Sequence, residues 1–255
     1  MEIHPIKLSG VLITFNEEKN IERCLKSILK VCDEILVVDS FSTDNTKAIC
    51  LKYGVRFIEN TWQGFLNQKN FAQNEATFDY VLQLDADEEL SPELGASIIA
   101  TKSNWSADGY FFNRFTNYCG KWIKHSGWYP DAKLRLYDKR KGNWQGLDPH
   151  PFVQLNGKTD HLKGDLFHYS YTSYVDHINR SAKYALESAK AMHRLGKKPS
   201  NFKLFISPGF KFLQTYIFRL GFLDGFEGLI ICKTSAYYTF LKYMYLKLIT
   251  KGEEL

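Results

Sequence analysis

The chain has 255 residues, enough for one large domain or for one domain with an appendage, and 44% of them are hydrophobic, as in a protein that buries a real core. Net charge is only +5 and the basic residues are spread along the chain, so nucleic acid is not expected as a partner, whereas an anionic membrane surface is compatible. The five cysteines (Cys24, Cys32, Cys50, Cys119 and Cys232) form no CxxC pair, and their odd count argues against a closed disulfide framework; reduced thiols of a cytosolic protein are expected.

Residues 7–14 (KLSGVLIT) read as a strand, and Asn16 is suited to cap the helix that follows, with apolar positions Ile21, Cys24, Leu25, Ile28 and Leu29. Residues 34–38 (EILVV) read as a second buried strand. Asp39 to Asp44 form a loop, with Asp44 capping a short helix through Tyr53, and residues 55–58 are a third strand. A helix is predicted over 66–76. The apolar run 80–84 is a fourth strand, ending in Asp85-Ala86-Asp87, and Ser91-Pro92-Glu93 opens another helix. Strands alternating with helices predict a mostly parallel, doubly wound α/β sheet, in which ligands bind beyond the carboxyl ends of the strands. Three polar clusters fall there: Thr14 to Glu17, Asp39 to Asp44 and Asp85 to Glu88.

From about Gly109 the pattern becomes mixed. Short strands are expected at 109–115, 132–137 and 151–155, then a long helix over 172–195. The composition shift near 197–200 suggests a boundary. The expected division is a domain 1–198, in two halves 1–108 and 109–198, followed by a helical region 199–255. That last region mixes Phe, Tyr, Leu and Ile with lysines, a composition suited to the interface of an anionic membrane, or to packing as a helical cap or a dimer surface. No run of about 18 apolar residues predicts a membrane span, and the opening Met1-Glu2-Ile3-His4-Pro5 lacks signal-peptide architecture. The expected location is therefore cytoplasmic, peripheral on the inner face of the inner membrane.

Two carboxylates at a strand end, Asp85 and Asp87, can share a hard divalent cation such as Mg2+ or Mn2+, which in turn holds substrate phosphates. Aspartates at strand ends also serve as caps and turn residues. The motifs VLITFNEEKNIERCLKSI, ILVVDSFSTDNT and LQLDADEEL, in that order, resemble the family 2 glycosyltransferases of the GT-A nucleotide-diphospho-sugar transferase fold. The later YPDAKLRLYD, LFHYSY and FLDGFEGLIICKTSAYYTFLKY are similar to the lipopolysaccharide core biosynthesis subgroup. The resemblance runs over nearly the whole chain.

It implies a metal-dependent, inverting, hexosyltransferase-like enzyme that uses a nucleotide-sugar donor, a UDP-sugar, and a saccharide or lipid-linked saccharide acceptor. By that similarity Thr14, Asn16, Glu17 and Asp39 lie against the nucleoside and Lys69 is a basic residue near the nucleotide. Asp87 contacts the metal, and Asp85 touches ribose or a metal-bound water. Arg135, alternating with apolar neighbours on a strand, is a candidate to brace the diphosphate; an ordinary exposed residue is the rival. His168 completes the metal or diphosphate site, or is a core histidine. The family's general base is an acid beside a His. Here that histidine corresponds to His150, but Pro151 follows it, so Asp148 is the candidate base, with Asp131 as another possibility. Trp122, Trp128 and Trp144 are candidates to stack on acceptor sugars or to be core.

Three rival classes remain. A sugar nucleotidyltransferase needs a glycine-rich basic loop after its first strand, where this chain has Thr14-Phe15-Asn16-Glu17. A phosphatase-like DxD enzyme carries the pair after its first strand, not its fourth. A non-catalytic glycan-binding or assembly protein that kept the fold is compatible with Pro151.

Overall fold

The computed structural model describes residues 5–148 and 151–253. It opens with β1 (Leu8–Thr14), α1 (Ile21–Ile28), β2 (Glu34–Asp39), α2 (Thr46–Lys52), β3 (Arg56–Glu59), α3 (Phe65–Glu75) and β4 (Tyr80–Asp85). β1 lies between β2 and β4 and is parallel to both; β3 continues the parallel sheet beside β2. Side chains alternate between the two faces of these strands. Leu8 and Leu12 of β1, Val37 of β2, and Leu82 and Leu84 of β4 pack with Ile21, Cys24, Leu25 and Ile28 of α1. The intervening Val11, Leu36, Val38 and Val81 pack on the other face with Ala72 of α3 and with Ala76. Both faces are therefore covered, the condition under which parallel strands are stable.

Beyond β4 the sheet turns antiparallel. β5 (Glu88–Leu90), α4 (Pro92–Ser103), β6 (Gly109–Tyr118), β7 (Lys121–Trp122), β8 (Ala132–Asp138), β9 (Gly142–Gln145), β10 (Phe152–Leu155) and β11 (Thr159–Tyr171) follow. The main strand order is β3-β2-β1-β4-β8-β6-β11-β5, with β7 paired to β6 and a separate β9–β10 hairpin. β5, β7 and β9 were not legible in the sequence. β5 has two glutamates in three residues, and it is a strand because Leu90, Glu89 and Glu88 pair with Leu166, Phe167 and His168 of β11.

Two capping expectations fare differently. Ser91 caps α4 as expected, its hydroxyl accepting from the Leu94 amide at 3.2 Å. Asn16 does not cap α1: a turn intervenes and Asn20 precedes the helix. Asn16 instead adopts a left-handed φ of 56° and its side chain accepts from the Thr43 amide at 2.8 Å. Asp44 stands one residue before Asn45, the N-cap of α2, and accepts from the Thr46 amide at 3.0 Å, so it closes a turn leading into the helix and is not its cap residue.

The chain forms two compact units: one runs to Arg114 and adds 131–169, and the other comprises 115–130 and the residues from Ser170 onward. The second unit holds α5 (Tyr174–Arg194), α6 (Asn201–Leu213) and α7 (Gly225–Thr250), with a π-helical turn Gln214–Phe218 and a 3-10 turn Gly221–Asp224 before α7. Asp224 organises it. Its buried carboxylate accepts from the backbone amides of Lys124 and His125, at 3.2 and 3.0 Å, and from the Ser126 hydroxyl at 3.1 Å. Gly228 passes so close to the Gly221 carbonyl that a Cβ would lie 2.0 Å from it, and a Cβ on Gly221 would meet Cys232 Sγ at 2.7 Å and the Thr215 carbonyl at 2.8 Å, so each position requires glycine. No helix of the described residues is long and apolar enough to cross a membrane.

Tyr118, Ile123 and Ile231 form the apolar centre of this unit, and the Tyr118 hydroxyl meets His177 Nδ1 at 2.8 Å. Burial pushes the His177 imidazole down from 6.5 to about 4. Between those two values the unfolded chain binds a proton that the folded chain does not. Stability from this group is therefore complete above about pH 6.5 and falls as pH drops toward about 4. Thermal melts of His177→Gln across that window should show a flatter pH dependence than the parent; an unchanged profile would remove His177 as its origin.

Candidate functional site

The register of the parallel strands brings the polar clusters to one edge. Thr14 is level with Asp39, and Ile13 with Asp85, at the carboxyl ends of β1, β2 and β4. Asp39 is 1% exposed and accepts from the Thr14 hydroxyl at 2.7 Å and from both the amide and hydroxyl of Ser42 at 2.6 Å. The loops after β1 and β2 are laced together: the Asn16 amide donates to the Ser42 hydroxyl at 2.7 Å, and the Glu17 amide to the Thr46 hydroxyl at 2.8 Å. Glu17 itself titrates above its ordinary value, chiefly because it is buried. Thr14, Asn16, Glu17 and Asp39 thus form one continuous polar wall.

After β4 the charges are densely compensated. One Asp85 carboxylate oxygen accepts from the Lys69 ammonium of α3, and the other accepts from Arg135 of β8 at 2.8 Å. Burial pushes the Asp85 carboxyl up, but the Lys69 and Arg135 charges outweigh it and hold the group well below the usual carboxylate range. Arg135 also donates to Glu88 at 3.2 Å; Glu88 is fully buried and accepts from the Asp85 amide at 2.9 Å. Lys69 and Arg135 are each 5% exposed, so neither is a solvated surface residue. That sets aside the rival reading of Arg135 as an ordinary exposed residue. Arg135 braces the two carboxylates, and its Nε is buried with no partner among the described residues.

Trp144 of β9 lies under this pair. Its ring centroid is 4.5 Å from the Lys69 ammonium and 5.3 Å from the Arg135 guanidinium, and its indole N–H donates to Gln83 at 2.6 Å. At 4% exposure it is a buried support for the cations and has no free face to offer a sugar, which corrects its stacking role. In the second unit Trp122 packs on Phe115 and Trp128 on Tyr118, at 4.9 and 5.5 Å between ring centroids.

Asp87 stands beside His168 of β11, with 3.4 Å between its carboxylate and Nε2, and its carbonyl accepts from the Tyr169 amide at 2.9 Å. Burial raises the Asp87 carboxyl and the neighbouring His168 ring more than offsets this, leaving it below its ordinary value. The β5–β11 pairing is what carries His168 to this point, across 81 residues of chain from Asp87.

Asp148 lies elsewhere in the same unit. Its Oδ1 accepts from the Leu66 amide in the first turn of α3, at 2.9 Å, and its Oδ2 packs on Gly64 so closely that a Cβ there would be 2.1 Å away. It therefore caps α3 from a distant loop. Asp131 is paired with Arg114 and Lys133, at 2.8 Å each. His150 lies outside the described residues.

Glu88 and Arg114 were not singled out as site residues from the sequence. Arg114 of β6 reaches Glu88 at 3.8 Å as well as Asp131. A buried glutamate directly after the aspartate pair was the available signal for Glu88; nothing in the local sequence distinguishes Arg114.

An acidic pair, buried cations and a polar wall thus lie along one edge of the parallel strands. Residues 9–159 match the sequence model of Glycosyl transferase family 2, and the chain belongs to that family. It is an α/β glycosyltransferase of the GT-A fold. An uncharacterised glycosyltransferase of Rickettsia typhi is 34% identical over 92% of this chain and 85% of its own. A lipopolysaccharide core biosynthesis glycosyltransferase, LpsC of Rhizobium meliloti, is 30% identical over 94% of this chain and 91% of its own. A solved structure of S. aureus TarS with UDP is similar at 17% identity, over 97% of this chain and 92% of its own, with a TM-score of 0.48.

Removing Arg135 would leave Glu88 buried without its close cation and deprive Asp85 of one of two. Breaking a buried pair in this way costs about 3–5 kcal/mol. Arg135→Met should therefore lower the melting temperature by roughly 6–20 °C, at about 2–4 °C per kcal/mol for a chain of this size. A loss of under 2 °C would show the network to be energetically idle.

Proposed function

We propose that this glycosyltransferase is metal-dependent and inverting, and that it moves a sugar from a UDP-sugar to a hydroxyl of a lipopolysaccharide core saccharide or a related lipid-linked surface glycan. The observation that carries the donor reading is the Asp85–Lys69–Arg135 cluster beside Asp87 and His168, at the edge where parallel strands present ligands. The acceptor class is suggested by the similarity to LpsC. UDP as the nucleotide is an expectation from the sequence resemblance alone.

The residues fit a divalent ion. Asp87 and His168 offer an oxygen and a nitrogen donor side by side, a set that accepts Mn2+ readily and Mg2+ with more water. Among the described residues no group of three or more ligand-type side chains converges, so donor phosphates and water would complete the shell. Such an ion supplies positive charge against the departing diphosphate. With both oxygens held by Lys69 and Arg135, Asp85 is oriented for ribose or a metal-bound water and is less suited to direct ligation. Thr14, Asn16, Glu17 and Asp39 line the nucleoside side.

Asp148 is proposed as the general base, with His150 orienting the acceptor. A second reading, a non-catalytic glycan-binding or assembly protein, is favoured by one observation: the Asp148 carboxylate is already engaged with the Leu66 amide. Peripheral attachment to the inner face of an anionic membrane would suit a lipid-linked acceptor. In support, α6 leaves Phe202, Phe205 and Phe210 exposed at 72%, 71% and 60%.

Asp87→Ala should weaken Mn2+-dependent UDP binding in calorimetry and reduce sugar transfer by at least about 100-fold with the fold retained. Turnover within a few-fold of the parent would sink the metal assignment. Asp148→Asn keeps an oxygen to accept from Leu66 but removes the basic charge. Loss of a positioned base costs about 10²–10⁴-fold, so kcat should fall by that much with little change in melting temperature. Near-normal kcat would leave Asp148 as a cap alone. Metal-dependent hydrolysis of the donor without acceptor would exclude the non-catalytic reading.

A further inference from the structure

The helical unit contains a cavity of about 420 Å³ lined by His177 and Ser181 of α5, Ser207, Phe210 and Lys211 of α6, and Ser235, Tyr238, Thr239 and Lys242 of α7. Its lining holds two lysines, five hydroxyl-bearing side chains and no carboxylate. Neither lysine forms an ion pair with any described carboxylate. The Lys211 ammonium has only the Gln214 side-chain oxygen, at 3.5 Å, and Lys242 lies over the Tyr238 and Tyr243 rings at 5.3 and 5.2 Å. In the same unit Lys121 meets Glu227 and Arg180 meets Asp176, whereas Lys203 and Lys233, like the cavity lysines, form no ion pair with a described carboxylate.

We propose that this cavity is a binding site for a phosphate group carried on a small ester or on a lipid headgroup, held between Lys211 and Lys242. Two ammonium groups on facing helices supply the charge, and the Ser181, Ser207 and Ser235 hydroxyls supply additional donors for a phosphate's oxygens, those of Thr239 and Tyr238 being already bonded to the Ser235 carbonyl and to Ser188. Burial, and then the Lys211 charge, lower the Lys242 pKa, so an anion between the lysines would relieve both penalties. Burial keeps the His177 ring neutral at physiological pH, so the positive charge of the lining comes from the two lysines. The volume exceeds what a bare ion fills and falls in the range of small-ligand pockets. Phe210, mostly exposed at the rim, offers apolar contact to whatever bears the phosphate. The site lies wholly in the second unit and does not rest on the donor-site reading.

The test is direct binding to the full chain with two probes: glycerol 3-phosphate by calorimetry, and co-sedimentation with phosphatidylglycerol–phosphatidylcholine vesicles against phosphatidylcholine alone. The double variant Lys211→Gln/Lys242→Gln is compared with Lys203→Gln/Lys233→Gln, which removes the same charge outside the cavity. Lys242→Arg checks that charge retention preserves binding, and melting curves verify the fold of each variant. Saturable binding of the soluble ester, weakened at least about tenfold only in the cavity variant, supports the site with a soluble source. Binding confined to phosphatidylglycerol vesicles and lost only in the cavity variant supports it with a lipid source. No binding of either probe, or equal loss in the two double variants, overturns it.

Discussion

The candidate site depends on how the sheet tolerates negative charge at the end of β4. Asp85 and Glu88 are close neighbours in sequence and in space, and Glu88 has no solvent to share its charge. The cations of α3 and β8, with Arg114 of β6 at 3.8 Å from Glu88, make this arrangement viable, because a buried carboxylate without a partner would protonate or destabilise the fold. Arg135 serves both carboxylates with one guanidinium, and Trp144 packs beneath it and Lys69. Stability and chemistry are therefore coupled here: the residues that hold the strand end also set the charge any nucleotide would meet.

The antiparallel half of the sheet has a specific purpose in this unit. β8 pairs with β4 and delivers Arg135; β11 pairs with β5 and delivers His168 to Asp87. The parallel half supplies the polar wall by register alone, since Thr14 and Asp39 end level with one another. Tight hydrogen bonding within that wall, from Thr14 and Ser42 to Asp39, leaves the loops fixed before any ligand arrives. Such preorganisation favours electrostatic stabilisation of a charged leaving group.

The second unit follows a different logic. Its apolar centre is small and aromatic, and a buried aspartate, Asp224, ties the segment 115–130 to the turn before α7 by hydrogen bonds to backbone amides. The cavity among α5, α6 and α7 is polar and positively charged, while α6 exposes large aromatic side chains.

Much of the first half was legible from local pattern. Near-continuous apolar runs marked β1, β2 and β4, because each had both faces to bury. Ser91-Pro92 marked the start of α4, because capping is a property of neighbouring residues. Asn16 misled for the converse reason: an Asx residue caps whichever amide the fold brings to it, and here that was Thr43, 27 residues away. β5 was invisible because its strand character comes from β11. By itself the sequence determined the family, the strand ends and the residue types gathered there. Only the tertiary structure decided which charges meet: Lys69 and Arg135 reach Asp85 across 16 and 50 residues, and Asp148 reaches Leu66 across 82. Local periodicity records which face a side chain occupies, whereas ion pairing depends on strand order and side-chain direction, which no local pattern encodes.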